Sequence, residues 1–323
     1  LWKKIAEENP ADARTLIKLA GLYEDSGFTG EALRAMGRAV ELEPANCKQR
    51  IAYALALARD DRNTEAIDQL LALLEMGDKQ AASPLEALKS RVLARNKENV
   101  LEPSTFLYNR RNPESFGMKT YADYQLEAVE LMTEVAKNSV GIDYVLKKYF
   151  DRLQKNPQDT AALRDLTQIH ITLENNPAAR EANQTLRSLL PNDLDTVITG
   201  ARIEAMMYHF EEAAALLSQA IEIQPRQKKQ FQLGQAYAYA QANQLPKAIE
   251  VINTLVDENP TDAPLILLAA NVIRNSGDRE VMKIYNQRIR ENADPAADRE
   301  TLCRLAHDQQ AFGEIEEAIA IYK

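Results

Sequence analysis

Pro157, Pro191 and Pro225 stand 34 residues apart (191 − 157 and 225 − 191), and each closes a stretch of helical periodicity. Punctuation at a fixed period means that one structural module is repeated. A module of this length cannot bury its own apolar face, so it must stack on a neighbour, and stacked modules build a solenoid rather than a body with one closed core. The length is consistent with that. A chain of 323 residues is near the upper size of a single hydrophobic core, whereas a solenoid grows by addition. Ala, Leu, Glu, Gln and Arg dominate and β-branched runs are scarce, which favours helix throughout.

The first complete unit runs from 13 to 46. Leu16, Leu19, Ala20 and Tyr23 share one helix face at i, i+3, i+4, i+7 spacing, Gly27 and Gly30 allow a turn, Ala32, Met36 and Ala39 line a second helix, and Pro44 ends it. On these residues the chain resembles the tetratricopeptide repeat family, with Ala32, Ala39 and Pro44 in register with its small-residue and proline positions. Small residues are needed there because closely crossing helices leave room for a methyl group only. The resemblance implies an all-α solenoid, a right-handed superhelix of helix-turn-helix hairpins.

The units then follow in order, as one solenoid over 1–323. Residues 1–12 read as a partial repeat and 47–80 as a weaker one, with Tyr53, Ala54, Leu57 and Ala66 in place. The distance from Pro44 to Pro157 exceeds three units by 11 residues (157 − 44 = 113). An insertion is therefore expected in 81–125, with Ser83 capping a helix begun by Pro84, a short helix near 103–111, and an irregular loop beyond. Residues 126–159 form a degenerate unit with Gly141 at its turn. Units 160–193 and 194–227 are clearer. In 228–262, Leu233, Gly234 and Tyr237 are read as the packing face, and in 263–298 Ala270 and Ile273 take that role with Gly277 at the turn; Pro260 and Pro295 each arrive one residue late. A partial repeat at 299–323 ends inside a helical pattern at Lys323, and the chain begins at Leu1 without Met, so it reads as part of something longer.

Charge narrows the partners. The 39 basic and 48 acidic side chains are interspersed and leave −9, which disfavours nucleic acid and anionic lipid. The longest apolar runs, Ile51–Ala58 and Pro264–Ala270, fall far short of the roughly 20 residues that span a bilayer. Cys47 and Cys303 lack metal-ligand spacing and read as buried small apolar residues, which leaves the redox compartment open. A soluble, cytoplasmic setting is favoured over an extracytoplasmic one. Hydrolase, nucleotide-binding and zinc-protease signatures are absent, so no catalytic residue, cofactor or metal is expected. His170, His209 and His307 lie in different units, and Glu211, Glu212, Glu316 and Glu317 sit where helix dipoles favour acid. Asn183-Gln184-Thr185 matches a glycosylation sequon at a packing position, and Met206 and Met207 read as gap fillers.

The expected function is therefore interaction. In the family, first helices line a concave groove; carrying register across places Arg164, Asp165 and Gln168, then Ile198, Thr199 and Arg202, then Phe231, Gln232 and Gln235, then Leu267, Asn271, Arg304 and His307 in it. Arginines and aromatics anchor, while Gln and Asn pair with a ligand's backbone. The family's carboxylate clamp is not reproduced at Ile17 and Gly21 or at Ile198 and Arg202. The inserted loop offers a second surface, with Arg110, Arg111, Phe116, Met118 and Tyr121. The chain is expected to be a non-catalytic scaffold that holds a partner polypeptide and helps assemble a complex. Alternatives are the targeting module of a longer enzyme, and self-association through the incomplete terminal repeats.

Overall fold

A computed structural model of the chain describes residues 12–76, 121–137, 141–274, 279–296, 298–311 and 313–322. These residues form sixteen α-helices and one 3-10 turn, with no strand among them. In chain order the helices are α1 (Ala13–Asp25), α2 (Thr29–Leu42), α3 (Cys47–Arg59), α4 (Asn63–Glu75), α5 (Tyr121–Lys137), α6 (Ile142–Lys155), α7 (Thr160–Thr172) and α8 (Asn176–Leu189). They continue as α9 (Leu194–Met206), α10 (Phe210–Ile223), α11 (Lys228–Gln241), α12 (Leu245–Glu258), α13 (Ala263–Arg274), α14 (Arg279–Asn292), α15 (Arg299–Ala311) and α16 (Ile315–Tyr322). The fold is all-α and solenoidal: hairpins stack on hairpins. No described helix is long and apolar enough to cross a membrane.

The described residues fall into two compact units, 12–189 and 190–322. In the first, α1–α2, α3–α4 and α7–α8 are hairpins, and α5 packs against α3, α4 and α7. In the second, α9–α10, α11–α12, α13–α14 and α15–α16 pair, α10 packs broadly on α11, and α13 packs on α11 and α12.

Three backbone devices recur with the period. First helices are capped by a carboxylate or amide two residues after a proline: Asn46 accepts from the Gln49 N–H at 3.2 Å, Asp159 from Ala162 at 2.9 Å, Asp193 from Thr196 at 3.1 Å and Asp262 from Leu265 at 3.1 Å. Each satisfies a donor that the helix cannot. Gln227 breaks the pattern: α11 has no side-chain cap and is entered through the 3-10 turn Pro225–Gln227. Hairpin turns use one residue in the left-handed region, at Gly27, Asp61, Glu174, Tyr208, Asn243 and Gly313. Gly27, at φ 77°, makes the first of these turns, whereas Gly30 lies inside α2. Second helices approach first helices through a methyl group: Ala32, Ala66, Ala179, Ala213, Ala248 and Ala318 are each 3% exposed or less.

Three expectations need adjustment. Cys47 is buried as expected, but Cys303 is exposed on α15. The helix read as starting at 126 begins at Tyr121, so the last residues of the 81–125 stretch already belong to α5. The short helix expected near 103–111, Gly277 and the capping pair Ser83-Pro84 lie outside the described residues.

Candidate functional site

In each unit by itself, the candidate interface is made of first-helix residues that lie outside the hydrophobic cores. In the first unit it carries Arg164, exposed, with Asp165 and Gln168 half-buried beside it on α7. The second unit carries Ile198, Thr199 and Arg202 on α9 and Asn271 on α13, all half-buried, with Arg304 and His307 exposed on α15. Burial lowers the pKa of the Arg202 guanidinium, while Asp195 two turns before it on α9 acts in the opposite direction. An arginine seated among apolar neighbours is held in a narrow range of directions, which suits directional bonding to a partner.

Phe231 does not belong to this face. It is 0% exposed and packs in the core with Val197, Ala201, Ala213, Leu217 and Ala238. The reason is register. α11 starts 34 residues after α9 (228 − 194), so Phe231 occupies the place of Val197 one hairpin on (231 − 197 = 34). The late proline at 260 reflects the one extra residue of α11, 14 residues against 13 in α9, and leaves the start of the first helix in register. Gln232 and Leu267 are likewise buried rather than directed into a groove. Gln235 is half-buried and already engaged, donating from Nε2 to Ser218 Oγ at 2.7 Å. Arg110, Arg111 and Phe116 lie outside the described residues, and Tyr121 opens α5 rather than belonging to a loop.

A second feature was not anticipated. Between the second helices α4 and α6 lies a cleft of about 220 Å³, lined by Asp68, Leu71, Ala72, Leu74, Glu75, Lys148, Tyr149 and Arg152. One wall is acidic and the other basic. Tyr144 closes one end by donating to Asp68 at 3.0 Å, with the Lys148 ammonium 5.0 Å from the Tyr144 ring. Behind the cleft, Tyr149 donates its hydroxyl to Asp165 on α7 at 3.1 Å, and Arg152 donates from Nη2 and Nε to Asp159 Oδ2 at 2.9 and 3.2 Å. Burial pushes the Asp165 carboxyl up to about 7, against the opposing pull of the Tyr149 hydrogen bond and of Arg152 and Arg164. The signal was present in the sequence: the period places Arg152 where Leu186, Ala220 and Leu255 stand in later hairpins, all 2% exposed or less.

The remaining candidates resolve into structure. Asn183 is buried and accepts from Arg187 Nε at 3.1 Å, so the sequon is part of the packing. His170 is buried, and that burial lowers its pKa. His209 Nδ1 lies 3.0 Å from Glu204 Oε2, across the turn into α10. Among the described residues no three His, Cys, Asp or Glu side chains come together as metal ligands.

Residues 206–272, which span the end of α9 to most of α13, match the family model described as "Tetratricopeptide repeat". No curated protein matches the chain. Among solved structures, MamA is similar at 14% identity and a TM-score of 0.40, over 52% of this chain and 92% of that one. A tetratricopeptide repeat protein from Parabacteroides merdae is similar at 16% identity and a TM-score of 0.36, over 91% and 98%. YrrB, described as a TPR protein with an unusual peptide-binding site, is similar at 16% identity and a TM-score of 0.32, over 84% and 97%.

Proposed function

We propose that this chain, which carries tetratricopeptide repeats, is a non-catalytic interaction scaffold that holds an extended segment of a partner polypeptide against its first-helix faces and so tethers that partner in a larger assembly. The observation that carries the reading is the chemistry of those faces. Arg164, Gln168, Thr199, Arg202, Asn271 and Arg304 stay out of the hydrophobic cores although their helices are otherwise packed on several sides. Long donors on rigid helices can bond to a peptide's carbonyls and acidic side chains at little ordering cost. On the second helix α2, short-range ion pairs join Arg34 to Glu31 and Arg38 to Glu41.

The test is selection of peptides from a random display library on the full chain, followed by affinity measurement with two sets of variants. Arg164→Ala with Gln168→Ala, or Thr199→Ala with Asn271→Ala, should weaken a selected peptide at least about tenfold, on the order of two lost hydrogen bonds. Arg34→Ala with Arg38→Ala on α2 should leave affinity unchanged. The opposite pattern would place the interface on the second helices and refute the reading.

A further inference from the structure

The cleft between α4 and α6 has charge on two walls and apolar side chains between them, and helical spacing orders the charges. On α4, Asp68 and Glu75 stand two turns apart on one face, with Leu71 and Ala72 between them. On α6, Lys148 and Arg152 stand one turn apart, with Tyr149 beside them. Acid therefore faces base across a space whose remaining lining is Leu71, Ala72, Leu74 and the Tyr149 side chain.

Two of these four charges are tied into the fold. Asp68 Oδ1 accepts from the Tyr144 hydroxyl at 3.0 Å, and Arg152 gives Nε and Nη2 to Asp159, which leaves Nη1 unused. The other two stay open. Glu75 makes no hydrogen bond or ion pair among the described residues, and Lys148 has only the Tyr144 ring, 5.0 Å from its ammonium. They do not pair with each other although both line one cleft. Elsewhere in the same unit Arg38 reaches Glu41 and Arg62 reaches Glu65, each at 2.7 Å along its own helix. Glu75 and Lys148 belong to different helices, which hold them apart. Opposite charges fixed apart around a partly apolar space suit a molecule that carries the complementary pair of charges and an apolar body.

We propose that this cleft binds a small zwitterion with an apolar body, of the size of a free α-amino acid. Its carboxylate accepts from Lys148 Nζ and Arg152 Nη1, its ammonium donates to Glu75, and its side chain lies against Leu71 and Leu74. Balance of charge selects the class. Two acids and two bases leave the cleft neutral, so a bare anion would face Asp68 and Glu75 uncompensated and a bare cation would face Lys148 and Arg152. Size selects within it. The volume of about 220 Å³ equals that of roughly seven waters at about 30 Å³ each, room for leucine or methionine; a helix, about 10 Å across, does not enter. The site is separate from the first-helix faces and does not rest on the function proposed for them.

The experiment is calorimetric titration of the full chain with three probes: leucine, 4-methylpentanoate, which is leucine without its ammonium, and 3-methylbutylamine, which is leucine without its carboxylate. Leucine should bind at least about tenfold more tightly than either. Lys148→Met, which keeps the stem and removes the charge, should weaken leucine at least about tenfold and leave the amine unchanged; Glu75→Gln should weaken leucine and the amine and leave the acid unchanged. Both residues are exposed, so both variants should fold as the wild type does by circular dichroism. Thr199→Ala with Asn271→Ala, in the second unit, should leave leucine binding as it was. Absence of binding by leucine, methionine and phenylalanine up to about 20 mM, an acid or amine that binds as tightly as leucine, leucine affinity unmoved by both charge variants, or its loss in the second-unit variant would each overturn the proposal.

Discussion

Phe231→Ala separates two accounts of the second unit. If Phe231 lined a binding groove, truncation would cost affinity and little stability. In the structure the ring is 0% exposed, in a buried cluster that includes Val197 and Ala201 of α9, Ala213 and Leu217 of α10, and Ala238 of its own helix. Burying a phenyl side chain removes roughly 150–250 Å² from water, about 4–6 kcal/mol at 25 cal/mol per Å² as an upper bound. Measured truncations of this kind cost about 3–5 kcal/mol, depending on how far the surroundings collapse into the space. Most other residues of that cluster are alanines, which have no rotamer with which to fill the hole. The cost should therefore lie in the upper half of that range, about 4–5 kcal/mol, and lower the melting temperature of the second unit by roughly 10–15 °C. Urea unfolding followed by circular dichroism measures it. A loss below about 1 kcal/mol would refute the packing and return Phe231 to the groove.

Four further outcomes follow from the same structure. Ala213→Trp puts an indole where α10 crosses its neighbours with no room beyond a methyl group, so the unit should lose about 1–3 kcal/mol or more in thermal unfolding. Asp193→Ala removes the acceptor for the Thr196 N–H and should cost about 1 kcal/mol in a urea titration, whereas Gln227→Ala, which removes no cap, should cost almost nothing. Glu174 sits at φ 58° in the turn before α8; Glu174→Gly should be neutral to stabilising by up to about 1 kcal/mol, where a helical position would lose that amount. Asp165, held at about 7 against 3.8 in an unstructured chain, keeps a proton that the unfolded state has released. First-unit stability should therefore be fully present below about pH 4, decline as pH rises to 7 and stay level above, and Asp165→Asn should flatten that decline in urea midpoints taken at pH 5 and 8.

Much of the hairpin order is legible in the chain itself. The proline period, the alanines at Ala32, Ala179 and Ala213, and the leucine faces of the first helices demand stacked helical pairs because each signal is local and repeats. The P-x-Asp/Asn caps are equally local, and the spacing of Asn46, Asp159, Asp193 and Asp262 from their prolines would have located the starts of those helices. Phe231 was misplaced by one residue of register: it stands 34 residues after Val197, a packing residue, and its burial in the same core shows the slip. The start of α5 was misplaced because propensity around Tyr121 and Tyr124 is ambiguous until packing on α3, α4 and α7 decides it.

The candidate interface divides the same way. Register carried across from the family resemblance assigned Arg164, Gln168, Thr199, Arg202, Asn271 and Arg304 to the first-helix faces. Tertiary structure decided what surrounds them: how deeply Arg202 is seated, that Gln235 already bonds Ser218, and that Tyr149, Arg152, Asp159 and Asp165 meet behind a cleft. Burial and pairing depend on groups brought together from separate helices, and a carboxyl acquires its proton affinity from that company rather than from its place in the chain.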